Sequence, residues 1–168
     1  MPRISVDIIY MQIAYQISKL SYAKRRRVGC IIVKDEQIVS FGYNGTPHGF
    51  DNNCEETQTR SIDNPDHMEI LIEKGYDCKD GCCSMQVTKQ EVLHAESNAL
   101  MKISKSTLTS KDSILYTTTS PCFECAKLII QAGVKKVFYC ESYRDMSGIA
   151  LLEKAGIIVE QVIVWNEH

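Results

Sequence analysis

The chain has 168 residues, of which 44% are hydrophobic and 24% charged, the profile of an ordinary globular protein that forms one domain over residues 1–168 around a single core. No apolar run approaches the roughly 18 residues needed to cross a bilayer, and the opening MPRISVDIIYMQ lacks the apolar core and small-residue cleavage site of a signal peptide. The expected setting is therefore cytoplasmic, with no membrane partner. A formal net charge of −2 gives no field that would gather a polyanion, so no polynucleotide partner is expected.

Val6, Tyr10, Ile13, Ile17 and Leu20 recur at helical spacing and predict an amphipathic helix over the first twenty residues. VGCIIV (28–33) and QIVSFGYNG (37–45), joined by KDE, predict an antiparallel hairpin. From about residue 46 to 90 the periodicity fails amid Pro, Gly, Asn, Asp and Cys, with one short helical candidate near MEILIEKG. That stretch reads as an irregular insert after the second strand, too long for a simple connector. Helix and strand then alternate: HAESNALMKIS, SILYTTT, CFECAKLIIQA ended by Gly133, KKVFYC, MSGIALLEKA ended by Gly156, and IIVEQVIV. The pattern predicts an α/β fold with helices on both faces of the sheet, its parallel part in the C-terminal half.

Eight cysteines do not suggest disulfides in a reducing compartment, and their spacing is more informative than their number. Cys122 and Cys125 form a CxxC that opens a helix after Ser120–Pro121. Proline suits a first helical position, and the positive helix end favours thiolate. Half a zinc site, a redox pair and two core cysteines are all compatible with this motif alone. His94 at the start of the preceding helix is a third ligand if the two helix starts meet at one sheet edge. His94 and Glu96 point about 200° apart on a helix, so they can address one metal only if it lies off the helix end. A His/Cys/Cys set leaves a fourth position open, the mark of a catalytic zinc, and an unligated carboxyl beside it is placed to move protons. The basic run Lys24 to Arg27 reads either as solvated surface or as a phosphate site, since guanidinium matches phosphate in bidentate fashion.

HAE followed by PCxxC matches the zinc-deaminase signature. Together with RRRVGCIIV, FGYNGTPHG, HAESNAL and LYTTTSPCFECAKLIIQAGVKKVFY, it makes the chain resemble the zinc-dependent cytidine and deoxycytidylate deaminase family over nearly its whole length, least over residues 50–90. The resemblance implies a three-layer α/β/α domain with a mixed five-stranded sheet. It implies hydrolysis of dCMP to dUMP and ammonia, supplying dUMP for thymidylate synthesis, with catalytic Zn2+ on His94, Cys122 and Cys125 and Glu96 as the proton shuttle. Backbone groups at Ala95 and Ser120 would fix the cytosine edge, Asn44 the sugar, Arg25 or its neighbour Arg26 the phosphate, and Tyr143 would close over the nucleotide. A turn role for Asn44 and a plain surface role for Tyr143 stand beside these. The family is further expected to be a homohexamer, activated by dCTP and inhibited by dTTP, with Mg2+ on the triphosphate and an effector site at Gly42, Asn44 and Gly45. Some members carry a second zinc in the insert, for which Cys54, Cys78, Cys82 and Cys83 are the candidates here. The rival readings are a related deaminase acting on tRNA adenosine, a nucleobase or a riboflavin precursor, and a zinc-stabilised binding module without catalysis, which would not need Glu96.

Overall fold

The computed structural model describes residues 4–62 and 64–164. Helix α1 (Val6–Ser18) starts at Ser5, whose hydroxyl accepts from the Asp7 amide and so satisfies one of the free N–H groups of the first turn. Strands β1 (Gly29–Lys34) and β2 (Gln37–Tyr43) pair antiparallel. Asp35 and Glu36 between them take φ of 49° and 62°, the left-handed pair that a tight two-residue hairpin turn demands.

After the insert come α3 (Ala95–Ile103), β6 (Ile114–Thr119), α4 (Phe123–Gln131), β7 (Lys136–Glu141), α5 (Ser147–Lys154) and β8 (Ile158–Gln161). They complete a five-stranded sheet in the order β2-β1-β6-β7-β8. β1 is antiparallel to both neighbours, and β6, β7 and β8 are parallel. Gly133 and Gly156 carry φ of 72° and 81° just past the ends of α4 and α5, the left-handed residues that close these helices.

Period-two alternation divides the core into two layers. Cys30, Ile32, Leu115 and Val137 face α3, α4 and α5, packing on Ala95, Ala99, Ala126, Ile129 and Leu152. Ile31, Val33, Tyr116 and Phe138 face the other way, onto Met11 and Ala14 of α1. The fold is thus the three-layer α/β/α arrangement with a mixed five-stranded sheet. No helix among the described residues is long and apolar enough to cross a membrane.

The insert is not irregular, and here the expectation is corrected. β3 (Glu55–Ser61), α2 (Pro65–Glu73), β4 (Asp77–Lys79) and β5 (Cys82–Thr88) form a second, three-stranded antiparallel sheet in the order β3-β5-β4. Its strands escaped the periodicity test because they bury little: β3, EETQTRS, has only Glu55 buried. Leu71, Tyr76 and Cys83 supply a small core of its own.

The proposed second zinc set does not assemble either. Cys78 and Cys83 stand opposite each other on β4 and β5 and are joined as a disulfide, the pairing that reducing conditions had argued against. Cys82 and Cys83 are neighbours on one strand and point to opposite faces, so Cys82 is exposed while Cys83 is buried. Cys54 packs elsewhere, with Ala23 and Val92.

Candidate metal centre and nucleotide cleft

Two helix starts meet at one edge of the five-stranded sheet. β6 ends at Thr119, and Ser120–Pro121 lead into α4, whose N-cap residue is Cys122 with extended backbone, φ −72° and ψ 170°. Pro121 therefore precedes the cap and does not occupy the first helical position. His94 is the N-cap of α3, also extended, at φ −77° and ψ 157°. Because His94 lies outside the helix, the 200° rule for helical residues does not govern it, and its ring and the Glu96 carboxyl can converge. Neither cap residue bonds its own helix end with its side chain; both side chains turn toward each other instead.

His94 Nδ1 lies 3.4 Å from the sulfur of Cys122 and 3.4 Å from that of Cys125. The three potential ligand atoms all fall within 4.8 Å of one another, and no other His/Cys/Asp/Glu group among the described residues does so. Tetrahedral zinc, with bonds of about 2.0 Å to nitrogen and 2.3 Å to sulfur, holds such atoms roughly 3.5–3.8 Å apart. The donor set fits it. Two thiolates and an imidazole are ligands that zinc accepts well.

The neighbouring Cys125 sulfur brings the Cys122 pKa down to about 3, and Cys122 together with burial pushes that of Cys125 up. The hydrogen bond to Cys122 raises the His94 pKa. A dication held by these three residues would keep both sulfurs as thiolates. Glu96 sits in the first turn of α3, 4% exposed, with its Oε2 3.7 Å from the Cys125 sulfur. Burial pushes its carboxyl above the usual carboxylate range, and a carboxyl so placed is able both to accept and to return a proton.

α5 braces this turn from below. A Cβ on Gly148 would fall 2.1 Å from the Pro121 carbonyl and 2.7 Å from the Cys122 carbonyl carbon, so only glycine lets α5 approach the backbone that carries the first thiolate. Sequence reading passed over Gly148 because it lies inside a helical pattern.

A cleft of about 340 Å3 opens at the cluster, bordered by His94, Glu96 and Cys122 and also by Arg25 and Arg26. Asn44, Ala95, Ser120 and Tyr143 also border it. Val87 and Thr88 of β5 contribute a wall that the sequence could not announce, because the insert offered no register to read. Ser120 is tied down twice: its amide donates to the Glu141 carbonyl at 2.8 Å and its hydroxyl accepts from the Tyr143 amide at 2.7 Å.

Asn44 is more engaged than a turn residue needs to be. Its Oδ1 accepts from the Val28 amide at 2.8 Å and its Nδ2 donates to the Arg26 carbonyl at 2.9 Å, bracing the basic loop over the cleft. Gly42 does not reach the cleft. It is buried beneath α3, where a Cβ would lie 2.1 Å from the Ala95 carbonyl oxygen. Gly45 exchanges two backbone hydrogen bonds with Leu93, which places the residue just before His94. Packing and bridging explain both glycines without a ligand.

A His/Cys/Cys cluster at two helix starts of an α/β/α sheet, with a buried carboxyl at its side, is a donor set of the kind that zinc-binding proteins use. The model of the cytidine and deoxycytidylate deaminase zinc-binding region matches residues 4–141, and the chain belongs to that family. Deoxycytidylate deaminase of Schizosaccharomyces pombe is 33% identical over 162 residues, 96% of this chain but 45% of the yeast protein. The chain thus spans less than half the length of that relative. Deoxycytidylate deaminase of enterobacteria phage T4 is 34% identical over 90% of this chain and 87% of its own. The crystal structure of dCMP deaminase from the cyanophage S-TIM5 in complex with dCMP and dUMP superposes with a TM-score of 0.74 at 37% identity, covering 96% of this chain and 100% of that one.

Proposed function

We propose that the chain catalyses hydrolytic deamination of dCMP to dUMP and ammonia, the product serving as precursor for thymidylate synthesis. The observation that carries this reading is that a single cleft joins the metal-ligand cluster and Glu96 to two arginines, matching a substrate with a reactive base and a 5′-phosphate. A solved relative at 37% identity binds dCMP and dUMP. His94, Cys122 and Cys125 would hold zinc, which when bound supplies Lewis acidity and lowers the pKa of water toward about 7.

The chain's own residues account for the rest. Glu96 takes a proton from the water that adds to C4 of the pyrimidine and delivers it to N3. It then carries the second water proton to the amino group, which leaves as ammonia while the C4 carbonyl forms. Backbone at Ala95 and Ser120 orients the base, Asn44 meets the sugar, and Tyr143 closes over the nucleotide. Arg25 is the guanidinium for phosphate: Arg26 is already paired with Glu141 at 2.8 Å, and Arg27 donates through Nε to the Ala23 carbonyl. The reading extends, on family resemblance, to a homohexamer activated by dCTP and inhibited by dTTP, with Mg2+ on the triphosphate and Asn44 and Gly45 beside the effector, while Gly42 is packed beneath α3.

Ammonia release from dCMP, deoxycytidine, cytidine and an oligonucleotide, with and without dCTP and dTTP, tests it. Turnover of dCMP well above that of deoxycytidine is expected. Equal turnover of the two would remove the phosphate role, and indifference to both triphosphates would remove the regulatory one.

A further inference from the structure

We propose that Glu55, the first residue of the insert sheet, is a positioning residue that makes the cleft selective for a phosphorylated nucleotide. The proposal rests on reading the cleft as a nucleotide site. Glu55 is 2% exposed, and its Oε1 accepts from two successive backbone amides, Lys24 at 2.9 Å and Arg25 at 3.2 Å. Its Oε2 is buried with no hydrogen-bond partner among the described residues. A half-satisfied buried carboxyl is an expensive way to anchor a loop.

The loop that it holds explains the choice. Lys24 to Arg27 is a run of four cations, and a buried negative group behind it offsets their mutual repulsion while fixing the backbone. The remaining ties are distributed around the loop. Asn44 holds the Arg26 carbonyl and the Val28 amide. Glu141 holds the Arg26 side chain, and the Ala23 carbonyl that of Arg27. Arg25 is the residue of the loop whose backbone is gripped by Glu55 and whose guanidinium borders the cleft with no ion-pair partner among the described residues. Glu55 therefore sets where that guanidinium stands. Glu55 itself does not line the cleft.

The test is calorimetric binding of dUMP and of deoxyuridine, which do not react, to the full metal-loaded protein. In the native chain the ratio of the two Kd values reads the phosphate contact, and a ratio near one would overturn the nucleotide reading itself. With that ratio established, Glu55→Ala should shrink it about tenfold and leave deoxyuridine binding unchanged. Glu55→Gln, which reaches the same amides, should keep most of it, whereas Glu55→Asp, one methylene shorter, should lose several-fold. An unchanged ratio in folded Glu55→Ala, or equal weakening of both ligands, overturns the proposal. Should Glu55→Ala fail to fold, the other two variants decide: selectivity lost in Glu55→Gln but kept in Glu55→Asp also overturns the positioning account.

Discussion

The two sheets of this molecule are built from opposite materials. In the five-stranded sheet, β1 is buried at five successive residues and β6 at its last five, with helices on both faces. In the insert sheet, six of the seven residues of β3 are exposed and the core reduces to a few side chains. The first sheet holds atoms still: ligands from α3 and α4 meet within hydrogen-bond distances because the layers beneath cannot shift. The second supplies a wall of the cleft and a carboxyl behind the basic loop, tasks that tolerate a thinner support. On the proposed function, chemistry belongs to the large sheet, and on the proposed role of Glu55, discrimination belongs to the small one together with the loop it grips.

The severest way to break this division is to remove a metal ligand. Cys122→Ala should reduce zinc in the purified protein from about one per chain to background, measured by elemental analysis, and abolish deamination; an intact zinc content would place the metal elsewhere. Glu96→Gln should keep the zinc and lower kcat by about 10²–10⁴, a combination that a purely structural Glu96 does not produce.

A matched pair of truncations compares the two cores directly. Leu115→Ala, in the fully buried layer of the large sheet, should cost about 2–5 kcal/mol of global stability in a denaturant melt. Leu71→Ala, in the insert core, should leave that transition nearly in place and instead speed hydrogen exchange across β3–β5. Equal global losses would mean the sheets unfold as one unit. The mildest test concerns the loop. Arg25→Ala should raise the KM for dCMP about tenfold with little change for deoxycytidine, and Arg26→Ala should do less because its side chain is engaged by Glu141.

Much of the molecule was legible before any coordinates. Apolar β-rich runs and helical spacing located all five strands of the main sheet and the helices around them, because the central strands bury both faces and that burial is written locally. The HAE and PCFEC motifs pointed to the cluster through their resemblance to the zinc-deaminase signature, whereas the CxxC alone left a redox pair and two core cysteines open. The insert was illegible for the converse reason: EETQTRS and CCSMQVT pair through backbone and expose their side chains, so no hydrophobic period marks them. Its cysteines misled for the same reason, since the opposed faces of Cys82 and Cys83 appear only once both are known to lie in a strand.

What the sequence by itself determined was the set of parts: the layers, the His/Cys/Cys candidates, the carboxyl beside them and the basic run. Tertiary structure decided their assignment. His94 left its helix to become a cap, Glu55 came to hold residues 30 and 31 positions earlier, and Arg26 was taken by a glutamate 115 positions later. Local periodicity reports which face of an element is buried. It carries no information about which distant partner stands against that face, and that depends on strand order and on the close approach of backbones that residues such as Gly148 permit.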